Sequence, residues 1–115
     1  MEEAEKARKS GPLFENLVFL HLQVLAELLR PQAQLYHWRT ASGTEVDFVV
    51  EWGGKLVGVE AKLGPRAHYS DVKGLEVFVK EYPEARAGVL LYCGEEVIRL
   101  GERIVALPWS LLARA

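Results

Sequence analysis

Residues 43–62, GTEVDFVVEWGGKLVGVEAK, constrain the fold more than any other stretch, because they predict a β-hairpin. One strand covers residues 46–51, Gly53-Gly54 form the turn, and the return strand covers residues 55–62. A Gly-Gly pair between two alternating runs rich in β-branched residues is typical of a tight two-residue turn, which requires positive φ. We therefore expect the sheet to be built around this hairpin.

A two-glycine loop determines which residues of the two strands face each other. Trp52 lies opposite Lys55, and each pair further from the turn follows in step. One face is wholly apolar and is predicted to lie in the core; it consists of the pairs Val50–Val57, Phe48–Val59 and Val46–Ala61. The other face carries the pairs Val49–Gly58, Asp47–Glu60 and Glu45–Lys62. The hairpin therefore has an apolar face and a charged face.

Asp47 and Glu60 carry like charges and are predicted to face each other directly, with Cβ atoms roughly 5 Å apart. At that distance two unit charges repel by about 3 kcal/mol in a dielectric of about 20, which is large beside a stability of about 5–15 kcal/mol. We therefore expect a shared proton or a cation between them. Lys62 lies roughly 7 Å further along the same face. A divalent cation bound by both carboxylates would leave Lys62 free to meet a phosphate.

The pattern Asp47…Glu60-Ala61-Lys62 resembles the signature of the PD-(D/E)xK nuclease superfamily. With Trp38-Arg39 and residues 43–48 added, it is similar to a narrower group, the uncharacterised nuclease-like domain at the C-terminus of many archaeal and bacterial AAA-type ATPases. Residues 13–16, LFEN, match the opening helix of that family, and residues 73–75, KGL, match its second helix. The resemblance covers residues 11–108.

The resemblance implies a metal-dependent nuclease that hydrolyses phosphodiester bonds. Asp47, Glu60 and the backbone carbonyl of Ala61 would hold Mg²⁺ or Mn²⁺, with Glu15 joining directly or through water. Lys62 would complete the catalytic set with Asp47 and Glu60 by orienting the attacking water or stabilising the developing oxyanion. The implied partners are nucleic acid, an ATPase module or another protein, and a second copy of the chain. The alternative is a non-catalytic nuclease-fold domain that serves an ATPase as a DNA-binding, docking or regulatory module.

Glu15 has two interpretations. It shares one side of the first helix with Phe19, Leu22 and Ala26, an apolar setting in which a carboxylate needs a partner or takes up a proton. In the family it resembles, a glutamate at this position joins the metal site. Otherwise it is a first-turn glutamate that interacts favourably with the helix dipole.

The basic side chains near the predicted site also keep two interpretations each. Arg39 either pairs with Glu45 or points toward a phosphate. Arg66, His68 and Lys73 follow the site strand and form either a phosphate-facing rim or a solvated loop. The formal net charge of -2 and the pI near 5.9 argue against a broad basic DNA-binding surface, but they leave room for a local rim.

Length and composition predict one domain, residues 11–115, behind a charged lead-in at residues 1–10. Cys93 is the single cysteine, so no intrachain disulfide forms and a reducing compartment fits. Residues 1–10 are charged and contain no signal peptide. The apolar residues 17–29 are interrupted by polar ones and predict a core helix, with no association with a membrane. We therefore expect a cytoplasmic protein.

The rest of the chain predicts helices and strands around the hairpin. The predicted elements are a helix over residues 10–29 with Ser10 at its cap and Pro12 in its first turn, a strand over 34–39, a helix from about 70 to 82, a buried strand over 87–92, a hairpin over 97–100 and 103–107, and a helical turn over 109–113. The first helix is apolar on most of its circumference and is predicted to be buried against the sheet. Its main stripe is Leu13, Leu17, Leu20, Val24 and Leu28, widened by Phe14, Val18, Leu25 and Leu29. The order is summarised as α-β-β-β-α-β-β. It is an α/β class with a central mixed sheet flanked by helices, which agrees with the restriction-endonuclease-like core that the resemblance implies.

Overall fold

The computed structural model describes the backbone of residues 2–113 and the side chains of residues 12–112. The elements are α1 (Glu2–Leu28), β1 (Gln34–Arg39), β2 (Glu45–Trp52), β3 (Lys55–Ala61), a 3-10 turn (Tyr69–Val72), α2 (Lys73–Glu81), β4 (Ala87–Tyr92), β5 (Ile98–Gly101), β6 (Ile104–Pro108) and α3 (Ser110–Ala113). They confirm the α/β class with a mixed sheet. The summarised order was one strand short, because the C-terminal hairpin supplies both β5 and β6, and it also omitted α3.

The six strands form one sheet in the order β1-β2-β3-β4-β6-β5. β3, β4 and β6 run parallel, whereas the β1–β2, β2–β3 and β5–β6 pairs are antiparallel. Successive residues of β4 pack on opposite faces: Leu90 belongs to the cluster around α2, and Leu91 to the cluster around α1. The helices therefore cover both faces of the sheet. Within residues 2–113, no helix is long and apolar enough to cross a bilayer.

The first helix begins earlier than predicted. α1 starts at Glu2, so Pro12 lies inside the helix and Ser10 does not cap it. Residues 2–9 are all Glu, Ala, Lys or Arg, which are strong helix formers, and this propensity extends the helix past the predicted cap. Apart from Met1, which lies outside the described residues, the predicted lead-in belongs to α1.

Only part of the predicted apolar face of α1 packs on the sheet. Phe14 and Val18 are buried against Phe48 and Val59, and Phe19 and Leu22 are among the partly buried residues around them. The main stripe that we expected to be buried faces outward instead, with Leu13 71% and Leu28 69% exposed. Because α1 is apolar on most of its circumference, periodicity alone did not distinguish between the two stripes.

The hairpin register is confirmed from Trp52–Lys55 to Phe48–Val59, and both turn glycines have positive φ. Beyond Phe48–Val59 the β2–β3 ladder ends, so the predicted ladder pairs Val46–Ala61, Asp47–Glu60 and Glu45–Lys62 do not form.

A β-bulge in β2 explains why the predicted apolar face is divided. Val46 pairs with Trp38 of β1 and Val49 pairs with Tyr36, so two residues of β2 oppose one residue of β1. The extra residue reverses the alternation of side chains. Val46 therefore packs in the cluster around α2, while Phe48, two residues later, packs in the cluster around α1.

Candidate functional site

Asp47 and Glu60 are linked at the point where the β2–β3 ladder ends. The backbone N–H of Asp47 donates to Glu60 Oε1 at 3.1 Å, and the backbone N–H of Ala61 donates to Asp47 Oδ2 at 2.8 Å. Strand N–H groups point across to the neighbouring strand, in the plane of the sheet. Each carboxylate that accepts one of them therefore lies where the next backbone hydrogen bonds of the β2–β3 ladder would form. The structure therefore brings the two predicted acidic residues together through side-chain to backbone bonds.

The bulge and helix α2 determine where these carboxylates lie. The bulge contains Asp47 and Phe48, opposite His37 of β1. His37 Nδ1–H donates to the backbone oxygen of Asp47 at 2.8 Å, which pins the bulge to β1. From the other side, a Cβ added to Gly74 would collide with the backbone oxygen of Glu45 and would lie 3.8 Å from Glu60 Oε1. The first turn of α2 therefore packs directly against this end of the sheet.

Glu15 shares its side of α1 with Phe19 and Leu22, which pack on the sheet, and it approaches the same region. It lines a cleft of about 270 Å³ together with Asp47, His37, Arg39 and Glu45, among others. Burial raises the pKa of Glu15, and the charges of Asp47 and Glu45 raise it further, while His37 opposes them. Three of the predicted site residues, Glu15, Asp47 and Glu60, are therefore close enough to influence one another's charge.

Negative charge accumulates around Glu60. Burial, and next the charge of Asp47, raise the pKa of Glu60 to about 8, although the N–H of Asp47 opposes this. Glu15 and Glu45 add smaller upward contributions. Burial also raises the pKa of Asp47, against the N–H of Ala61, which lowers it. At neutral pH the Glu60 carboxyl consequently holds a proton unless a cation takes its place, which matches the expectation of a shared proton or a cation.

Contrary to the prediction, Lys62 is not free, because it forms an ion pair within the chain. Its Nζ donates to Asp71 Oδ2 at 2.6 Å, and the two side chains are 28% and 21% exposed. The same oxygen of Asp71 accepts the backbone N–H of His68 at 2.8 Å and so closes the 3-10 turn. This role was not predicted for Asp71, which lies in the 3-10 turn before α2. The ion pair could have been predicted from the presence of an acidic residue in the turn that follows Lys62.

No group of three His, Cys, Asp or Glu side chains among the described residues lies close enough to hold a metal ion together. Ala61 contributes its N–H to Asp47, and it follows Glu60 directly at the end of β3. The carboxylates that the structure joins are therefore a pair, Asp47 and Glu60, with Glu15 nearby across the cleft.

Arg39 is engaged in an ion pair, and Arg66 and His68 lie apart from the carboxylate pair. Arg39 Nε lies 3.3 Å from Glu45 Oε1, so the ion-pair interpretation is confirmed. Arg66 and His68 line a different cleft, of about 600 Å³, together with Tyr92. The candidate site is therefore predominantly acidic, and Lys62 is the cation that follows it on β3.

Sequence comparison connects the chain to proteins of unknown function. The model of the family described as "Domain of unknown function (DUF4143)" matches residues 10–112. The uncharacterized proteins Mb2031c of Mycobacterium bovis and Rv2008c of Mycobacterium tuberculosis are each 33% identical to the chain over 104 residues. The matches cover 90% of this chain but 22% of each relative, so the chain spans about a fifth of the length of these relatives.

Proposed function

The chain belongs to the DUF4143 family of domains of unknown function, and we propose that it is a divalent-cation-dependent phosphodiesterase of PD-(D/E)xK type that acts on nucleic acid. The proposal extends the α/β sheet to a restriction-endonuclease-like core. Asp47, Glu60 and Lys62 are the catalytic residues, and Glu15 and the carbonyl of Ala61 complete the cation site with the two acids.

The proposal rests mainly on the reciprocal hydrogen bonds that hold Asp47 and Glu60 side by side. Each acid accepts one backbone N–H from the opposite strand, which holds both side chains at one end of the sheet. A carboxylate offers about four lone-pair sites, so each retains capacity for another partner. Two partly buried carboxylates at one end of the sheet are costly when both are ionised, and a cation bound by both would remove that cost.

The donor set suits Mg²⁺ or Mn²⁺ better than a metal that needs a closed cage. Mg²⁺ prefers oxygen ligands, keeps several waters and uses one or two carboxylates together with substrate phosphate. Asp47 and Glu60 would supply the two carboxylates, with Glu15 acting through water, which is compatible with the absence of a three-residue group among the described side chains. When bound, the cation would activate water and neutralise charge on the scissile phosphate.

Lys62 has a defined role in this proposal. It follows Glu60 by two residues, and the ion pair with Asp71 restricts its long side chain before substrate arrives. Its ammonium has three donors, so bonding to Asp71 leaves others for a phosphate oxygen. Lys62 donates to the oxygen on which negative charge develops.

Nicking of supercoiled DNA tests the proposal, in Mn²⁺ and in chelator. We expect Mn²⁺-dependent nicking that Asp47→Asn and Lys62→Ala each abolish. The matched control is Glu95→Gln, an exposed carboxylate on the loop after β4, which should nick at the unmodified rate. Cleavage that persists in the Asp47→Asn, Lys62→Ala double variant would overturn the proposal.

The ion pair of Lys62 favours a second candidate, a non-catalytic docking or regulatory domain. Asp71 already neutralises Lys62, and each site carboxylate accepts a backbone N–H, so the polar groups also have structural roles. DUF4143 is associated with AAA-ATPase-like proteins, and the chain spans only about a fifth of its relatives. Calorimetric titration separates the candidates: binding of Mn²⁺ that Asp47→Asn removes supports the phosphodiesterase, and no binding at millimolar Mn²⁺ supports the docking domain.

A further inference from the structure

Helix α1 presents an unusual outward face. Four aliphatic side chains line one stripe, which we term the α1 seam: Leu13, Leu17, Leu20 and Val24. Leu20 and Val24 are 58% and 54% exposed, and Leu28 continues the stripe by one turn. The opposite side of the helix packs on the sheet through Phe14 and Val18. An apolar stripe therefore remains uncovered in the single chain.

The segment that carries the seam has almost no charge. Between residues 12 and 26 Glu15 is the one Asp, Glu, Lys or Arg, and it lies on the sheet-facing side. A helix that borders water normally carries charged residues on its outward face. The flanking exposed residues Asn16 and Gln23 are polar but neutral. This face therefore has the composition of an interface, and no like charges would oppose each other across it.

The spacing of the seam identifies the shape of its partner. Successive seam residues are 4, 3 and 4 positions apart, the heptad spacing by which one α-helix packs into another. The order 4-3-4 is the same in both directions, so the seam is complementary to itself under a two-fold axis. Antiparallel pairing places Leu13 against Val24 and Leu17 against Leu20, and it sets the helix dipoles in opposite directions.

We propose that the α1 seam pairs antiparallel with the α1 seam of a second copy of this chain. From their exposed fractions, the seam and Leu28 offer roughly 500 Å² per copy, so a symmetric pair buries about 1,000 Å², the lower limit for a specific interface. A pair of that size is expected to be reversible rather than permanent. Because Glu15 lies on the other side of α1, both carboxylate sites stay open, and the pairing does not depend on the proposed phosphodiesterase activity.

Sedimentation of the full chain over a concentration series tests the pairing. We expect a monomer–dimer equilibrium that Leu20→Glu shifts to monomer at every concentration, since each copy would bury an unpaired carboxylate against Leu17 of the other copy. Leu20 is exposed in the single chain, so the variant should unfold at the same urea concentration when both are monomeric. Val97→Glu is the matched control, because Val97 is 63% exposed but lies outside the seam. It should dimerise like the unmodified chain.

Disulfide formation tests the orientation. In antiparallel pairing, mixing Leu13→Cys with Val24→Cys chains yields a crosslinked heterodimer under mild oxidation, whereas Leu13→Cys alone does not crosslink. The unmodified chain, with Cys93, is the control for background. Crosslinking of Leu13→Cys with itself, a dimer that survives Leu20→Glu, or a monomer at all concentrations would each overturn the proposal. The last result would assign the seam to a helix of another protein or of the longer relatives.

Discussion

Ala61 donates its backbone N–H to Asp47 Oδ2 at 2.8 Å, beyond the last regular pair of the β2–β3 ladder. A side chain thus replaces a backbone carbonyl as the acceptor at the end of the hairpin. This gives Asp47 two separable properties, a hydrogen-bond acceptor that stabilises the strand end and a negative charge that attracts a cation.

Two substitutions at Asp47 should separate these properties. Asp47→Ala leaves the Ala61 N–H without its acceptor and is expected to lower the free energy of unfolding by about 1–2 kcal/mol. Asp47→Asn keeps a carbonyl oxygen in place and removes repulsion with Glu60, so its stability should equal or exceed that of the unmodified chain. Both should lose Mn²⁺ binding. Urea unfolding and calorimetry measure the two effects, and equal stability of the two variants would contradict the acceptor role.

Glu60 should make stability depend on pH. Its pKa is about 8 in the folded chain against 4.5 as the ordinary value, so the folded chain binds this proton more tightly than the unfolded chain. The stability that this tighter proton binding adds to the folded chain is therefore fully present below pH 4.5, and it is lost as the pH rises through about 8. After allowance for solvent screening, we expect a loss on the order of 2 kcal/mol.

Glu60→Gln tests this because glutamine resembles the protonated acid. The variant and the unmodified chain should have equal unfolding free energies in urea at low pH, and the variant should be the more stable one above pH 8. Glu95→Gln, at an exposed position, serves as the control and should follow the unmodified chain at every pH. An unmodified chain whose stability rises relative to Glu60→Gln with increasing pH would contradict the raised pKa.

The sequence predicted the part of the hairpin that depends only on its own two strands and turn. Gly53-Gly54 and the alternation of apolar residues determine the register up to Phe48–Val59, and the structure confirms it. The bulge at Asp47–Phe48 arises from pairing with β1, where a single residue, His37, opposes two. Residues 43–62 alone carry no information about how β2 pairs with β1. Their alternation therefore could not show that Val46 packs on the α2 face of the sheet, opposite to Phe48.

The prediction for α1 was only partly right, for a different reason. Its apolar residues surround most of the helix, so periodicity could not show that the sheet covers the side with Phe14 and Val18 and leaves the Leu13 stripe exposed. Glu15 pointed to the covered side, because its side of the helix carries Phe19 and Leu22, which pack on the sheet. The ion pair Lys62–Asp71 was also missed, since it depends on the path of the loop between β3 and the 3-10 turn.

Asp71 is expected to act on the reaction only through Lys62. Asp71→Asn retains an oxygen for the N–H of His68 and removes the ion pair. Because this partly buried ion pair holds the Lys62 side chain in place, kcat for nicking should fall about 10-fold to 100-fold while KM changes little. In a Lys62→Ala background the same substitution should have no further effect. An equal loss in both backgrounds would show that Asp71 acts independently of Lys62.

Gly74 should be the position at which adding one methyl group disturbs both the fold and the site. A Cβ there would collide with the backbone oxygen of Glu45, and backbone atoms cannot move aside as a flexible side chain would. Alanine has a helix propensity about 1 kcal/mol better than glycine, so without the collision Gly74→Ala would stabilise α2. We expect the free energy of unfolding in urea to fall by about 1–3 kcal/mol. Mn²⁺ binding should also weaken, because the added methyl group would separate α2 from the end of β2 beside Glu60.

Gly101→Ala is the matched control, since its added Cβ would meet Ile104 at an ordinary 3.6 Å. A Gly74→Ala chain as stable as the Gly101→Ala chain would show that α2 does not pack directly on the carboxylate end of the sheet.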